Sequence, residues 1–228
     1  PIVVLATGVP RKGSKAHSGN AKTGDMIQIN IMVDGMDPRD ALATGADKGI
    51  CGTCPHRSPA AGGSGACYVH PIIKRSWGQT GTMNAHLAKG SVPFDLSRFE
   101  GHKVRFGAYG DPAAVPFEVW EPILDVAADF TSYTHAWKTA DIRFARFCMA
   151  SADTADEGRQ ARKLGYRNFI VRPVGSDKPK GAIVCPASAE AGKKLECNAC
   201  MMCGGNSSKQ TRDITIIAHG AGAKKFTP

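Results

Sequence analysis

Long apolar runs are missing from this chain of 228 residues. Runs such as Ile2–Ala6 and Ile214–Ala218 are far shorter than the roughly 20 residues that a membrane-spanning helix needs. The first residues also lack the charged start and long apolar stretch of a secretory signal, and their pattern predicts a strand and a turn instead. We therefore expect no membrane contact and a cytoplasmic location.

Cysteines are too few for a disulfide scaffold, since only eight occur in 228 residues, and disulfides do not persist in a reducing cytosol. Seven of the eight fall in two local groups, and Cys148 stands alone. Ligands grouped in short loops can converge on one ion or cluster without ordering long segments. The pattern predicts metal binding rather than crosslinking.

Acidic residues are outnumbered, 20 against 29 basic ones, and the formal net charge is +9. The basic residues are scattered rather than clustered, and aromatics make up only 7% of the chain. This predicts a solvated basic surface, with general affinity for polyanions as the less favoured alternative. No Gly-Lys-Ser/Thr or Gly-x-Gly-x-x-Gly motif opens a helix after a strand, so no phosphate-binding loop is predicted.

The composition and periodicity of the sequence change near residue 100. Residues 1–100 form an irregular region rich in turn formers that carries the first cysteine group, with strands predicted at Ile2–Leu5 and Met26–Val33 and a helix at Ile72–Lys89. Residues 101–228 alternate short apolar runs with helical patterns and carry the second group. Helices are predicted at Ala136–Arg146 and Thr154–Leu164, the latter with Asp153 or Thr154 as its cap, and a helical turn at Ala187–Lys193. This predicts an α/β fold, either a partial (β/α) barrel, which we favour, or an open parallel sheet, with both regions in one compact domain.

Functional side chains in such folds lie at the carboxyl ends of strands. Asp111, His135 and Arg172 follow predicted strands and are the candidate catalytic residues. Cys185 also follows a strand, so we expect chemistry and metal to share one face. Helix capping for Asp111 and a structural hydrogen bond for His135 are the alternatives.

The second cysteine group is the strongest signal in the sequence. It consists of Cys185, followed by Pro186, and the closely spaced Cys197, Cys200 and Cys203. Three thiolates in one Cys-x-x-Cys-x-x-Cys loop, closed by a remote cysteine before a proline, are typical of a [4Fe–4S] cluster. Zinc is the rival, although zinc sites usually draw on two separated Cys-x-x-Cys pairs, and thiols without a metal are the third alternative.

The first cysteine group is less decisive. Cys51, Cys54, Cys67 and His70 match the spacing of a Cys₃His zinc site. A second iron–sulfur cluster completed by Cys148, or a three-cysteine cluster with one open iron, fits as well. Cys148 alone is otherwise interpreted as a small buried apolar residue.

Several motifs together resemble a known family. They are Cys51-Gly-Thr-Cys54-Pro, Cys67-Tyr-Val, Phe106-Gly-Ala-Tyr-Gly110-Asp111-Pro112, Tyr133-Thr-His135-Ala-Trp137, Met149-Ala-Ser151 and Cys185-Pro-Ala-Ser188. Over nearly its whole length the chain is similar to uncharacterised bacteriophage proteins known mainly by a gene-product number. The resemblance implies a phage origin and expression in the cytoplasm of a bacterial host.

A weaker similarity is to radical S-adenosylmethionine enzymes, which combine a partial βα barrel with a cluster near its mouth. Their usual Cys-x-x-x-Cys-x-x-Cys loop follows the first strand, and this chain has no such triplet. Barrel and cluster are therefore an analogy, and radical chemistry does not follow from it.

We expect an iron–sulfur protein that transfers electrons or acts as a cluster-dependent redox enzyme, with a small molecule or a redox protein as partner. The alternative is a zinc-binding phage factor that binds nucleic acid. A virion protein with metal staples is a third interpretation.

Overall fold

The chain forms two open sheets in a computed structural model that describes residues 1–10, 14–16, 20–70, 78–90, 93–220 and 222–228. The first sheet has the order β1-β2-β3-β4, in which β1 is antiparallel to β2 and the other pairs are parallel. Its strands are β1 (Ile2–Thr7), β2 (Ile27–Val33), β3 (Lys103–Tyr109) and β4 (Asp129–Thr131).

The second sheet is entirely parallel, in the order β5-β6-β7-β9-β8. Its strands are β5 (Tyr133–Thr134), β6 (Met149–Ala152), β7 (Asn168–Arg172), β8 (Ile183–Val184) and β9 (Ile214–Ile217). Only Ser132 separates β4 from β5, so the chain passes directly from the edge of one sheet to the edge of the other.

Six α-helices are described: α1 (Pro38–Thr44), α2 (Lys48–Cys51), α3 (Gly78–Lys89), α4 (Phe117–Val126), α5 (Ala155–Lys163) and α6 (Cys197–Cys200). Helix α5 starts as its sequence predicts, because the Thr154 side chain accepts the Glu157 backbone N–H at 3.1 Å. No helix within the described ranges is long and apolar enough to cross a bilayer.

The predicted α/β fold with parallel strands is confirmed, and it is open: in the described part of the chain no strand pairing closes a barrel. The first sheet joins β1 and β2 from residues 1–100 to β3 and β4 from residues 101–228. The change in sequence pattern near residue 100 therefore lies between two paired strands of the same sheet, β2 and β3.

One helix prediction was wrong. The stretch 136–146 forms two 3₁₀ turns, Ala136–Lys138 and Ile142–Arg146, because the Asp141 carboxylate accepts the Arg143 backbone N–H at 2.9 Å and starts a new turn. The helical turn predicted at 187–193 is not among the described helices, and Lys193 has a φ of 52°. Of the helix predicted at 72–89, residues 78–89 are helical, and 72–77 lie outside the described residues.

The two faces of the first sheet differ in chemistry. On one face Ile27, Val104 and Phe130 are paired across three strands and join the main apolar core, with Trp120 of α4. On the opposite face the register pairs Gln28 with Arg105, and Arg105 with Thr131, all buried. A buried polar row needs partners from another segment, and Gln28 donates to the Thr23 hydroxyl at 3.2 Å while Arg105 donates to the Tyr68 hydroxyl at 3.1 Å.

Candidate functional site

The structure brings the four cysteines of the second group together. Cys185, Cys197 and Cys203 belong to one apolar cluster on the second sheet that includes Met149, Ile214 and Ile216. Burial raises the pKa of Cys203 to about 12, a hydrogen bond with Tyr133 opposes the rise, and the thiols of Cys185, Cys197 and Cys200 add to it. The four thiols therefore lie within electrostatic range of one another although Cys185 is remote in sequence.

The loop that carries three of these cysteines is docked by the N-terminal segment. The backbone N–H of Cys197 donates to the Lys22 carbonyl at 3.0 Å, and that of Asn198 donates to the Thr23 carbonyl at 3.0 Å. The Lys103 ammonium of β3 donates to the Asn198 carbonyl at 2.5 Å. These bonds hold helix α6 against the polar face of the first sheet.

A second set of bonds fixes the end of the loop. The Arg167 guanidinium donates to the carbonyls of Gly205 at 2.7 Å and Met202 at 3.1 Å. Gly205 has a φ of 55°, and a Cβ there would lie 2.7 Å from the Ala145 carbonyl oxygen. Only glycine fits this close backbone approach without strain.

A buried cation accompanies the four thiols. Arg105 lies over the Tyr133 ring, with 5.4 Å from Cζ to the ring centroid, and donates to the Tyr68 hydroxyl at 3.1 Å. Burial opposes its charge, but Tyr68, Tyr133 and the thiols of Cys197 and Cys203 raise the pKa of Arg105 above its ordinary value. The site thus carries a fixed positive charge beside groups that become anionic as metal ligands.

The spacing of the thiols bears on the kind of metal. In the described part of the chain, which contains all eight cysteines, no three thiols lie mutually within 4.8 Å. Thiolates on one tetrahedral zinc ion are about 3.8 Å apart, since Zn–S bonds are about 2.3 Å long. Thiolates of a cubane each bind a different iron and are farther apart. The spacing of the described thiols is therefore wider than that of thiolates bound to one zinc ion.

The first cysteine group converges as well. Burial raises the pKa of Cys51 above its ordinary value, and the thiols of Cys54 and Cys67 raise it further. Burial raises the pKa of Cys67 to about 11, although the backbone N–H groups of Val69 and His70 stabilise its anion. His70 is buried, but it is not in the one group of three metal-ligand atoms found among the described residues.

Two predicted catalytic residues lie beside this first group rather than the second. The Cys54 thiol is 3.3 Å from Nδ1 of His135. The Asp111 carboxylate accepts the His135 backbone N–H at 2.9 Å and the Ala113 N–H at 2.9 Å. Asp111 is therefore the cap of the turn Pro112–Ala114, as its alternative interpretation predicts, and it also positions His135.

Arg172 lies apart from these two. Its guanidinium forms an ion pair with Glu190 and donates to the Ser176 carbonyl at 2.5 Å. Cys148 is fully buried, and its thiol is 3.0 Å from the Ser132 hydroxyl. These contacts favour a structural role for Arg172 and the buried apolar role for Cys148.

The structure also brings in two residues that were not among the predicted catalytic or metal-binding residues. His56 and Asp153 lie next to His135, and Nε2 of His56 is 3.0 Å from Oδ2 of Asp153. His56 follows Cys54 in a loop without helical or strand periodicity, so no pattern distinguished it. Asp153 follows β6 and was among the strand-end positions predicted from the sequence, although only Asp111, His135 and Arg172 were selected from them.

Two surface cavities are present in the described part of the chain near these groups. One, of about 630 Å³, is lined by residues that lie between Cys185 and Cys197 in sequence, including Ser188 and Glu196, and by Lys22. The other, of about 460 Å³, is lined by Asp153 and Arg172 among others. Both are large enough for a small molecule.

Comparisons with protein-family models, with curated proteins and with solved structures find no match to this chain.

Proposed function

We propose that Cys185, Cys197, Cys200 and Cys203 hold a [4Fe–4S] cluster, and that the protein is an iron–sulfur protein with a one-electron redox role. The convergence of four thiols from two distant segments carries the proposal. When bound, such a cluster supplies a single-electron donor or acceptor whose potential depends on its surroundings.

The surroundings favour such a group. Apolar side chains, among them Met149 and Met202, pack around Cys185 and Cys203, which are buried. The Tyr133 side chain opposes the rise that burial causes in the pKa of Cys203, and Arg105 brings a buried positive charge. Hydrogen bonds to sulfur and nearby cations stabilise a negatively charged cluster, more strongly in its reduced state.

The cavity of about 630 Å³ next to the Cys197 loop is the place for a small-molecule partner under this proposal. Its walls are mainly apolar, with charged exceptions such as Lys22 and Glu190, so its ligand would be largely apolar with a few polar groups. A redox protein docking over the same loop is the other kind of partner.

The zinc and nucleic-acid alternative has less support. Several arginines that would contact phosphates are engaged with carboxylates, in the pairs Arg143–Glu118, Arg146–Asp125, Arg159–Asp156 and Arg162–Asp213. Surface pairs exchange partners easily, but an arginine paired with a carboxylate is less available to neutralise a phosphate.

The decisive measurement is iron and acid-labile sulfide per chain on anaerobically purified protein. We expect about four of each for one cluster, and a loss of about four of each in Cys197→Ser. The control is Cys148→Ala. Because the Cys148 thiol contacts the Ser132 hydroxyl, this variant should keep the full count of iron and sulfide. Zinc without sulfide in the wild-type protein would refute the cluster. If the first cysteine group also holds a cluster, the iron and sulfide content of the wild-type protein doubles. Cys197→Ser should then lose half of that content.

A further inference from the structure

Three ligand atoms meet at the carboxyl ends of β5 and β6. His135 follows β5, Asp153 follows β6, and His56 comes from the loop after α2. The Oδ2 atom of Asp153 is 3.0 Å from Nε2 of His56 and 3.5 Å from Nε2 of His135. The ligand atoms of all three lie within 4.8 Å of one another.

These distances match those between ligands on one small cation. With metal–ligand bonds of about 2.1 Å, two ligands are about 3.0 Å apart at a right angle and about 3.4 Å apart at a tetrahedral angle. Two imidazoles and one carboxylate on one side of an ion are also a recurrent donor set for divalent iron, with coordination positions left open.

The same atoms lack other partners. Among the described residues, Nε2 of His56 and Nε2 of His135 are buried and contact only Oδ2 of Asp153, and Oδ1 of Asp153 is buried without a hydrogen-bond partner. The His56 and Asp153 side chains are only 9% and 6% exposed. Leaving several buried polar atoms unsatisfied is costly, and a cation would satisfy them together.

The remaining ring nitrogens are oriented as metal ligands require. Nδ1 of His135 is 3.3 Å from the Cys54 thiol, and Nδ1 of His56 is 3.5 Å from the Ser64 hydroxyl. A hydrogen bond at Nδ1 fixes the ring and leaves Nε2 as the free ligand atom. Both imidazoles therefore present Nε2 to the same carboxylate.

We propose that His56, His135 and Asp153 form a second, mononuclear site for a divalent first-row transition-metal ion, separate from the four-cysteine site and independent of what that site holds. The side chains of Cys54 and Ser64 orient the two imidazoles, and Asp111 fixes the backbone of His135. Three protein ligands leave coordination positions for water or substrate.

Cobalt(II) is the probe, because it replaces zinc and iron in such sites and its spectra separate nitrogen and oxygen ligands from sulfur. The full chain is stripped of metal and titrated anaerobically with Co(II). We expect His56→Gln and Asp153→Asn each to bind about one Co(II) less per chain than the wild type, with an unchanged thiolate-to-cobalt absorbance. His86→Gln is the control, since His86 also contacts a carboxylate, with Nε2 3.4 Å from Oδ1 of Asp34.

A measurement on the wild-type protein covers the case in which these variants do not fold. Proton spectra of the Co(II)-loaded chain should show strongly shifted N–H signals of the two ligand histidines. An unchanged cobalt count in both folded variants, or a wild-type spectrum without such histidine signals, would overturn the proposal. The three side chains would then form an internal charge-paired cluster.

Discussion

The Cys54 thiol and Nδ1 of His135 lie 3.3 Å apart, although 81 positions separate them in sequence. This contact links the first cysteine group to the strand-end residues and makes His135 the centre of a network that also includes Asp153 and Asp111. It places the sequence-predicted catalytic histidine beside the first group, not beside the four cysteines.

Replacing Cys54 should lower the pKa of His135. Burial disfavours its imidazolium, but the Cys54 thiol and Asp153 raise the pKa of His135 well above the ordinary value. In metal-free Cys54→Ala we expect a lower value, measured by histidine NMR titration, while Cys148→Ala keeps the wild-type value. Because the folded pKa is raised, the stabilisation from this network is complete below about pH 6.5 and disappears as the pH rises through the folded value. Identical titrations in both variants would contradict the link.

Arg105 should tune the redox potential of the proposed cluster. Its buried guanidinium lies beside Cys197 and Cys203, and removing a positive charge disfavours the more negative reduced state. We expect Arg105→Met to lower the midpoint potential by on the order of 100 mV, from a charge interaction of about 2 kcal/mol at an effective dielectric constant of about 20. Anaerobic redox titration measures it. Arg146→Met, on the surface, is the matched control and should leave the potential within error.

Gly205 should be intolerant of a side chain. An alanine there combines a φ of 55° with backbone atoms of Ala145, Phe147 and Cys148 at 2.7–2.8 Å from the new Cβ. We expect Gly205→Ala to lower the free energy of unfolding by about 2–4 kcal/mol, measured by urea denaturation. Gly175→Ala provides the comparison, since its φ is 83° but nothing lies within 4 Å, so its cost should be about 1 kcal/mol. Equal losses would show that backbone conformation, not crowding, decides.

Asp37 should contribute pH-dependent stability to the start of α1. The Asp37 carboxylate accepts the Arg39 backbone N–H at 2.8 Å. Its hydrogen bond with the Arg39 guanidinium is the largest of the effects that lower the pKa of Asp37 to about 2. Asp37→Ala should cost about 1 kcal/mol at pH 7. Because the folded pKa is depressed, the difference from wild type is complete above about pH 4 and is lost as the pH falls through about 2. Denaturation at pH 7, 4 and 2 checks this, and Asp37→Asn, which keeps the cap, should lose less at pH 7.

The sequence predicted the elements with strong local signals. Strands β2, β3 and β9 coincide with apolar runs in the sequence. Helix α5 begins after the capping residue Thr154 and has acidic residues in its first turn. Where two local signals compete, prediction failed: the capping carboxylate of Asp141 divides the stretch 136–146 into two turns. An apolar period alone does not reveal such a local hydrogen bond.

The cysteine spacing by itself determined that Cys197, Cys200 and Cys203 share one short loop, because three-residue steps keep side chains close. Only the tertiary structure decided that Cys185 joins them, since its position depends on the pairing of β8 with β9. The same holds for His56, His135 and Asp153, which come from a loop and two strand ends. Contacts between distant segments arise from strand order and packing, and these depend on the whole core rather than on any local run of residues.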